Sequence, residues 1–171
     1  MLLIGGASRR FGSPKALAIL DGEMLAELAW RVLGEACGER LAVGKLEDHL
    51  SLPFVVHDDG IERRAPLAGV IAALRLATTD VCVFLPVDCP RVTPALLLAL
   101  ADACSGDAAV PQTGPLPGAY RRTALPVLEQ RLDAGEFSLR DALPLLDAAV
   151  VHVDPALLAN VNTPDDLREL A

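Results

Sequence analysis

The sequence predicts an α/β fold with a mostly parallel central sheet and helices on both of its faces. Short apolar runs alternate with segments whose apolar residues repeat at helical spacing, which is typical of βαβ units. Residues 81–87 form a continuous apolar run rich in β-branched residues, a pattern that favours a strand buried on both faces of a parallel sheet. Since such sheets bind ligands at the carboxyl ends of their strands, the residues just after Ile4, Val43, His57 and Val87 are the first candidates for a site.

The first half of the chain is predicted to alternate between strands and helices. Residues 1–4 form a strand that enters a glycine-rich turn, and because the strand is short for a central one, native residues are expected before Met1. An apolar piece at 17–20 ends at the turn Asp21-Gly22. The further elements predicted are helices 25–36 and 67–74 and strands 41–43, 53–57 and 81–87.

Capping residues mark the helices of the second half. Thr93-Pro94 is an N-cap followed by proline at the first helical position. Ser138 with Asp141 resembles a capping box, and Thr163-Pro164 opens the last helix with two acids in its first turn. The predicted strands are 108–110, 119–120 and 149–153.

The composition limits the function before any motif is considered. The chain has 171 residues, of which 52% are hydrophobic and 22% charged, and we expect one domain over residues 1–171. Acidic residues outnumber basic ones by 23 to 15, which gives a net charge of -8. Because a nucleic-acid binder normally has the opposite balance, no nucleic-acid partner is expected.

Neither membrane insertion nor disulfide bonding is predicted. No apolar run approaches the roughly 20 residues of a membrane span, and the first charges follow the first apolar stretch, which is the wrong order for a signal peptide. The 4 cysteines form no C-x-x-C pair, and no His lies at a zinc-ligand spacing. We therefore expect reduced thiols and a cytoplasmic location.

A glycine-rich loop with the sequence LIGGASRRFGSPK follows the first strand at residues 3–15. It matches neither the P-loop nor the dinucleotide-binding fingerprint. Gly5 and Gly6 nevertheless allow backbone N–H groups to approach phosphate oxygens closely, while Arg9, Arg10 and Lys15 concentrate positive charge in an acidic chain. We interpret the loop as a phosphate site, with an exposed turn of solvated charges as the alternative.

Carboxylates stand where predicted strands end. Asp88 follows the apolar run directly, and a carboxylate there is costly unless it is paired or binds a cation. Mg²⁺ held by one or two carboxylates plus substrate phosphates is the usual arrangement in phosphate chemistry, so Asp88 is the candidate metal ligand. The alternative role of Asp88 is to cap a helix or turn. Asp58 and Asp59 follow another strand, where structural and ligand roles are equally supported.

These features together resemble a known family. The segments L-x-G-G-x-S-R-R-x-G-x-x-K, P-L-A-G, P-x-D-x-P and N-V-N-T-P-x-D-L are similar to those of the molybdenum cofactor guanylyltransferases, within the nucleotidyltransferase superfamily. The first and third segments are shared across the superfamily, whereas the second and fourth are more specific. The resemblance spans nearly the whole chain and implies a three-layer, Rossmann-like nucleotidyltransferase fold.

The resemblance also implies roles for individual residues. Lys15 matches a lysine that contacts phosphate, and it is expected to act with Arg10 to offset charge on the β- and γ-phosphates of GTP. Asp88 matches the Mg²⁺ ligand and is the third residue assigned to catalysis. Asn162 matches an asparagine near the pterin substrate. The implied nucleotide-binding residues are Leu3, Ile4, Gly5, Gly6, Lys15, Asp58 and Asp88.

The implied reaction transfers GMP from GTP to the terminal phosphate of molybdopterin, releases pyrophosphate and requires Mg²⁺. Ile4 replaces the usual Ala, Gly44 stands where many members carry a nucleotide-contacting Asn, and Phe11 replaces Met, which bears on base preference. The alternatives are a related enzyme that uses CTP on molybdopterin or an NTP on a sugar phosphate, and a non-catalytic nucleotide-binding module. The sequence leaves open a monomer or a weak homo-oligomer, and transient contact with proteins that supply or accept molybdopterin.

Overall fold

The computed structural model describes residues 1–5 and 11–170, and these form nine strands and six helices. The strands are β1 Leu2–Ile4, β2 Ile19–Leu20, β3 Glu23–Met24, β4 Ala42–Gly44, β5 Val56–Asp58, β6 Val81–Pro86, β7 Ala108–Pro111, β8 Gly118–Arg121 and β9 Ala148–Val151. The helices are α1 Leu25–Ala36, α2 Pro66–Leu76, α3 Pro94–Ala103, α4 Leu125–Asp133, α5 Leu139–Ala142 and α6 Pro164–Leu170.

A seven-stranded sheet in the order β5-β4-β1-β6-β8-β7-β9 forms the centre of the fold. The strands from β5 to β6 are parallel, β9 is parallel to β7, and β8 runs antiparallel to both of its neighbours. The mostly parallel sheet predicted from the sequence is therefore confirmed. The register places Ile4 opposite Gly44 and Gly44 opposite Asp58, so the carboxyl ends of β1, β4 and β5 lie side by side.

Helices cover both faces of this sheet. Helices α1 and α3 pack on one face with Leu2 and Leu85, and helices α2 and α4 pack on the other with Leu3 and Phe84. Successive side chains of a strand point to opposite faces, so both faces of β1 and β6 require apolar residues. This is the physical reason for the continuous apolar run at residues 81–87, and it confirms the three-layer arrangement.

Side-chain caps begin three helices where the sequence predicted them. Thr93 Oγ1 accepts a hydrogen bond from the Leu96 N–H at 3.3 Å, and Ser138 Oγ accepts one from the Asp141 N–H at 3.2 Å. Thr163 accepts one from the backbone N–H three residues later at 3.2 Å. Because these bonds satisfy N–H groups that have no partner within the helix, they fix where α3, α5 and α6 start.

Parts of the fold differ from the sequence-based expectations. Helix α4 was not predicted. Strand β5 begins at Val56 and not at residue 53, and Phe54 before it stacks on Trp30, with 4.2 Å between ring centroids. The turn Asp21-Gly22 is confirmed, and both of its residues have positive φ; it joins β2 to an antiparallel partner, β3, that was not predicted. None of the described helices has the length and apolar character that crossing a bilayer requires.

Tyr120 ties β8 to the loop that precedes it. Its side chain is fully buried, and its ring meets the Phe84 ring edge-on with 5.6 Å between centroids. The Tyr120 hydroxyl donates to the Pro115 carbonyl at 2.8 Å. Burial raises the pKa of this hydroxyl, so the group remains a hydrogen-bond donor at neutral pH.

We expect Tyr120→Phe to lower the free energy of unfolding by about 1–2 kcal/mol, because the ring packing stays while the Pro115 carbonyl loses its buried donor. Urea unfolding at an unchanged m value measures the loss. Thr78→Val, which removes an exposed hydroxyl bonded to Glu39, is the matched control and should change the stability by less than about 0.5 kcal/mol. Wild-type stability of the Tyr120 variant would contradict the prediction.

Candidate active site

A cavity of about 590 Å³ opens at the carboxyl ends of β1, β4 and β6. This is the edge where parallel sheets bind ligands, and the volume is in the range of small-molecule sites. The strand ends contribute Leu3, Ile4, Gly5, Val43, Gly44 and Pro86 to its lining. Polar side chains reach the cavity from Lys45, Asp59, Arg64, Asp88, Arg140 and Asn160.

Lys15, Asp88 and Asn162 meet at the β1–β6 side of this edge. Lys15 Nζ lies 3.2 Å from Asp88 Oδ2 and donates to Asn162 Oδ1 at 2.9 Å. The Lys15 and Asp88 side chains are 14% and 23% exposed, so the ion pair is partly accessible to solvent. Asp88 lines the cavity, and Lys15 lies directly beside it. The structure thus brings together three site residues that the sequence predicted in separate parts of the chain.

The C-terminal segment is held against the end of β6 by its own bonds. The Asp88 carbonyl accepts from the Val161 N–H at 2.8 Å, and the buried Cys89 thiol donates to Asn160 Oδ1 at 3.0 Å. Burial, together with the neighbouring Asp88, raises the pKa of the Cys89 thiol. The thiol therefore stays neutral and continues to donate, which keeps Asn160 and Asn162 at the edge of the cavity.

Asp166 orders the turn that carries Asn162. Its Oδ2 accepts from the backbone N–H groups of Asn162 at 2.6 Å and Thr163 at 3.0 Å. The hydrogen bond from the Asn162 N–H is the main cause that lowers the pKa of Asp166, and the hydrogen bonds with Thr163 add to it. This residue was considered in the sequence only as an acid at a helix start, and the structure adds a role in positioning Asn162.

Asp58 and Asp59 lie in different environments. Asp58 is exposed, and its carboxylate accepts from the Leu46 N–H at 3.0 Å and the Gly60 N–H at 2.7 Å, bonds that lower its pKa. Asp59 lines the cavity and is paired with the buried Lys45 at 2.6 Å. The carboxylate of Asp58 thus organises a loop, whereas that of Asp59 lies at the cavity wall.

The predicted backbone site is described in part. Leu3, Ile4 and Gly5 line the cavity. Gly6 and Arg10, also predicted site residues, lie outside the described residues.

Packing explains why position 44 holds glycine. A Cβ on Gly44 would lie 2.4 Å from the Ile4 carbonyl oxygen. Position 44 therefore offers a ligand no side chain.

Several cavity residues were missed in the sequence. Thr113, Gly114, Pro115 and Leu116 line it from the loop between β7 and β8, and Phe137, Ser138, Leu139 and Arg140 line it from the start of α5. Arg140 joins these two segments by donating to the Thr113 carbonyl at 2.8 Å. The Ser138 cap does predict that a helix starts here. The sequence does not show that this helix start faces the cavity.

The donor set at the cavity fits a hard cation that is held partly by a substrate. No cluster of three or more His, Cys, Asp or Glu side chains suited to a metal occurs within residues 1–5 and 11–170. The carboxylate of Asp88 is the oxygen donor that faces the cavity beside Lys15. One carboxylate completed by waters and substrate phosphates is a coordination mode typical of Mg²⁺.

Solved structures define the class of the fold. The structure titled molybdopterin-guanine dinucleotide biosynthesis protein A, from Archaeoglobus fulgidus, superposes with a TM-score of 0.78 at 26% identity and covers 99% of this chain and 94% of its own. The 2-C-methyl-D-erythritol 4-phosphate cytidylyltransferase of Thermus thermophilus superposes with a TM-score of 0.74 at 18% identity, covering 99% and 95%, a likeness of fold alone. The protein has the fold of a nucleotidyltransferase.

Sequence comparisons identify the family within that class. The model of the MobA-like NTP transferase domain matches residues 1–151. Probable molybdenum cofactor guanylyltransferases from Chloroflexus aggregans and Deinococcus radiodurans are 35% and 37% identical, each over 98% of this chain and 90% of the relative. The chain belongs to the MobA-like nucleotidyltransferases, in the molybdenum cofactor guanylyltransferase family.

The bonds of Asp166 predict an acid-sensitive contribution to stability. The pKa of Asp166 is lowered from 3.8 in the folded state, so its contribution is present at pH values above about 4 and is lost as the pH falls through the folded pKa. Asp166→Asn should therefore lose less stability between neutral and acid pH than the wild type does. Urea midpoints measured from pH 7 to pH 3 test this.

Asp165→Asn is the matched control for that experiment, because Asp165 precedes Asp166 in α6 and bonds instead to the exposed Arg168. The control should follow the wild-type pH dependence. A wild-type profile for Asp166→Asn would mean that the bonds to Asn162 and Thr163 do not stabilise the fold.

Proposed function

We propose that this protein transfers GMP from GTP to the terminal phosphate of molybdopterin, forming the guanine dinucleotide cofactor and releasing pyrophosphate, and that residues 1–171 act as one nucleotidyltransferase domain. The observation that carries the proposal is the meeting of Lys15, Asp88 and Asn162 at the carboxyl ends of β1 and β6. Family membership supports this reaction, and the cluster supports its location at this edge of the sheet.

The chain's residues act by binding and by neutralising charge. A phosphate oxygen of the acceptor is already an anion, so its attack on the α-phosphorus of GTP requires no general base. Lys15 Nζ lies where it can donate to phosphate oxygens that gain charge as pyrophosphate leaves. Binding GTP and the acceptor phosphate in line within one cavity lowers the entropic cost of bringing the two reactants together.

Asp88 would hold Mg²⁺, which would supply electrophilic charge to the phosphates of GTP when it is bound. Lys15 Nζ contacts Asp88 Oδ2 at 3.2 Å and so helps to hold this carboxylate in its position at the cavity lining. A chain with a net charge of -8 repels polyphosphates at long range. Local positive charge at the cavity must therefore offset this field, and GTP affinity should depend strongly on Mg²⁺.

The acceptor is proposed to bind beside Asn162. The Asn162 side chain lies 2.9 Å from Lys15 Nζ, so a group bound there is next to the phosphates of GTP. The β7–β8 loop with Thr113 and the start of α5 with Arg140 line the same cavity and would provide apolar and polar surface for a pterin. We therefore expect molybdopterin to bind between the C-terminal segment and these cavity-lining segments.

We expect Asp88→Asn to lower Mg²⁺-dependent pyrophosphate release from GTP and molybdopterin by about 100-fold or more, because the amide removes the anionic metal ligand. Initial rates with matched GTP and acceptor concentrations measure the effect. Asp102→Asn, at an exposed position of α3, is the control and should keep wild-type rates. Near-full activity of Asp88→Asn would overturn the assignment.

Lys15→Met should lower kcat more than it raises KM for GTP, since the ammonium is expected to stabilise charge that develops as pyrophosphate leaves. Steady-state kinetics with varied GTP separate the two constants. Arg75→Met removes another basic side chain, one that pairs with Glu129 on the surface, and should leave both constants unchanged. Unchanged kinetics for Lys15→Met would remove Lys15 from the site.

A further inference from the structure

A second lysine–aspartate pair lines the cavity and has no part in the mechanism above. Lys45 Nζ lies 2.6 Å from Asp59 Oδ1, and the two side chains are 5% and 8% exposed. Both residues line the cavity. The sequence contains 2 lysines, Lys15 and Lys45, and each is paired with an aspartate at this edge of the sheet.

The pair lies at the end of the cavity away from Asp88. Lys45 follows β4 and Asp59 follows β5, whereas Asp88 follows β6, and β1 separates β4 from β6. Neighbouring strands lie about 4.8 Å apart, so the two pairs are separated by roughly 10 Å. A nucleotide whose phosphates lie at Lys15 and Asp88 can therefore extend its base toward Lys45 and Asp59.

Part of the pair's hydrogen-bonding capacity is not used by the protein. Asp59 Oδ1 accepts from Lys45 and from the Ile61 N–H at 3.1 Å, which holds the carboxylate in place. Within the described part of the chain, no residue donates to Asp59 Oδ2 and Lys45 Nζ has no acceptor other than Asp59. A buried ion pair is costly unless its remaining hydrogen-bonding positions are also satisfied. Here a ligand in the cavity can satisfy them.

We infer that Lys45 and Asp59 form a subsite that recognises guanine. This inference rests on the proposed function, because it assumes that a nucleotide lies in the cavity. Guanine presents the N1–H and 2-amino groups as donors beside the O6 acceptor. Asp59 Oδ2 accepts from the donors, and Lys45 Nζ donates to O6.

Other bases fit this pair less well. Adenine has an amino group where guanine has O6, so it would face the Lys45 ammonium with a donor. Cytosine offers one amino donor and is a smaller ring, so it cannot satisfy both partners across the same span. Gly44 has no side chain that could contact the base, and the Ile4 carbonyl leaves no space for one. Recognition of the base therefore depends on the neighbouring residues.

The test measures binding of GTP, ITP and XTP to the intact protein by calorimetry in the presence of Mg²⁺ and without molybdopterin. Inosine lacks the 2-amino group, and xanthine carries an oxygen in its place. The wild type should bind GTP about tenfold or more tightly than ITP or XTP, the usual effect of losing a hydrogen bond to a charged group. Equal affinity of the wild type for GTP and XTP would overturn the inference.

Asp59→Asn should reverse the preference, because the new amide can donate to the xanthine oxygen but no longer accepts from the 2-amino group as a carboxylate does. We expect the GTP-to-XTP affinity ratio to fall by about 100-fold, the product of two effects of about tenfold. A purely structural role would weaken all three nucleotides together and leave the ratio unchanged, which would refute the subsite.

Two further arms complete the design. Glu129→Gln changes a partly exposed acid that is paired with Arg75 outside the cavity lining, and it should keep the wild-type ratio. Lys45→Gln/Asp59→Asn replaces the ion pair by two amides and removes both buried charges together, so it serves as the test if the single variant does not fold. Because it contains the same amide at position 59, it should likewise bind XTP more tightly than GTP. A retained wild-type GTP preference in the double variant would overturn the inference.

The outcomes for the subsite and for the reaction are separable. If the GTP preference inverts in Asp59→Asn while the wild type releases no pyrophosphate with molybdopterin, the subsite stands and the proposed reaction fails. If the wild type transfers GMP but the GTP-to-XTP ratio does not respond to Asp59→Asn, the reaction stands and the subsite fails.

Discussion

The position of β1 between β4 and β6 is the constraint on which the rest of the structure depends. This three-residue strand is buried on both faces, and its parallel pairing with both neighbours brings three carboxyl ends to one edge. The loop after β1 leads to Lys15, β6 leads to Asp88, and β4 leads to Lys45. A shift of one residue in this register would turn Leu2 and Leu3 toward the opposite helical layers, so the core and the site are specified by the same pairing.

The charge distribution resolves the contrast between an acidic protein and anionic substrates. The chain has a net charge of -8, whereas each of its two lysines is paired with a carboxylate that lines the cavity. Each lysine–aspartate pair has no net charge, so the pairs do not add to the negative potential of the whole protein. Because screening weakens the surface field beyond about 10 Å at moderate salt, the local arrangement decides how a bound phosphate is stabilised.

The sequence predicted those features that local residue patterns encode. Apolar runs predicted most strands, caps predicted the starts of α3 and α6, and the strand-end position of Asp88 together with the family motifs predicted the cluster around Lys15. The antiparallel direction of β8 was not predictable, because an extended run such as residues 119–120 carries no sign of its direction. Lys45 was missed for a related reason: its pairing with Asp59 arises from two loops that become neighbours only when β4 and β5 pair.

The two ion pairs differ in burial in a way that suits different tasks. The Lys15 and Asp88 side chains keep 14% and 23% of their exposure, so water and ions can reach them and their partners can change during a reaction. The Lys45 and Asp59 side chains keep 5% and 8%, and Asp59 is further fixed by the Ile61 N–H. A group that recognises a base gains from such rigidity, because a fixed donor and acceptor cannot adjust to a base with the opposite pattern. A group that handles phosphate must instead exchange partners as charge moves, and the more exposed pair is the one that can do so.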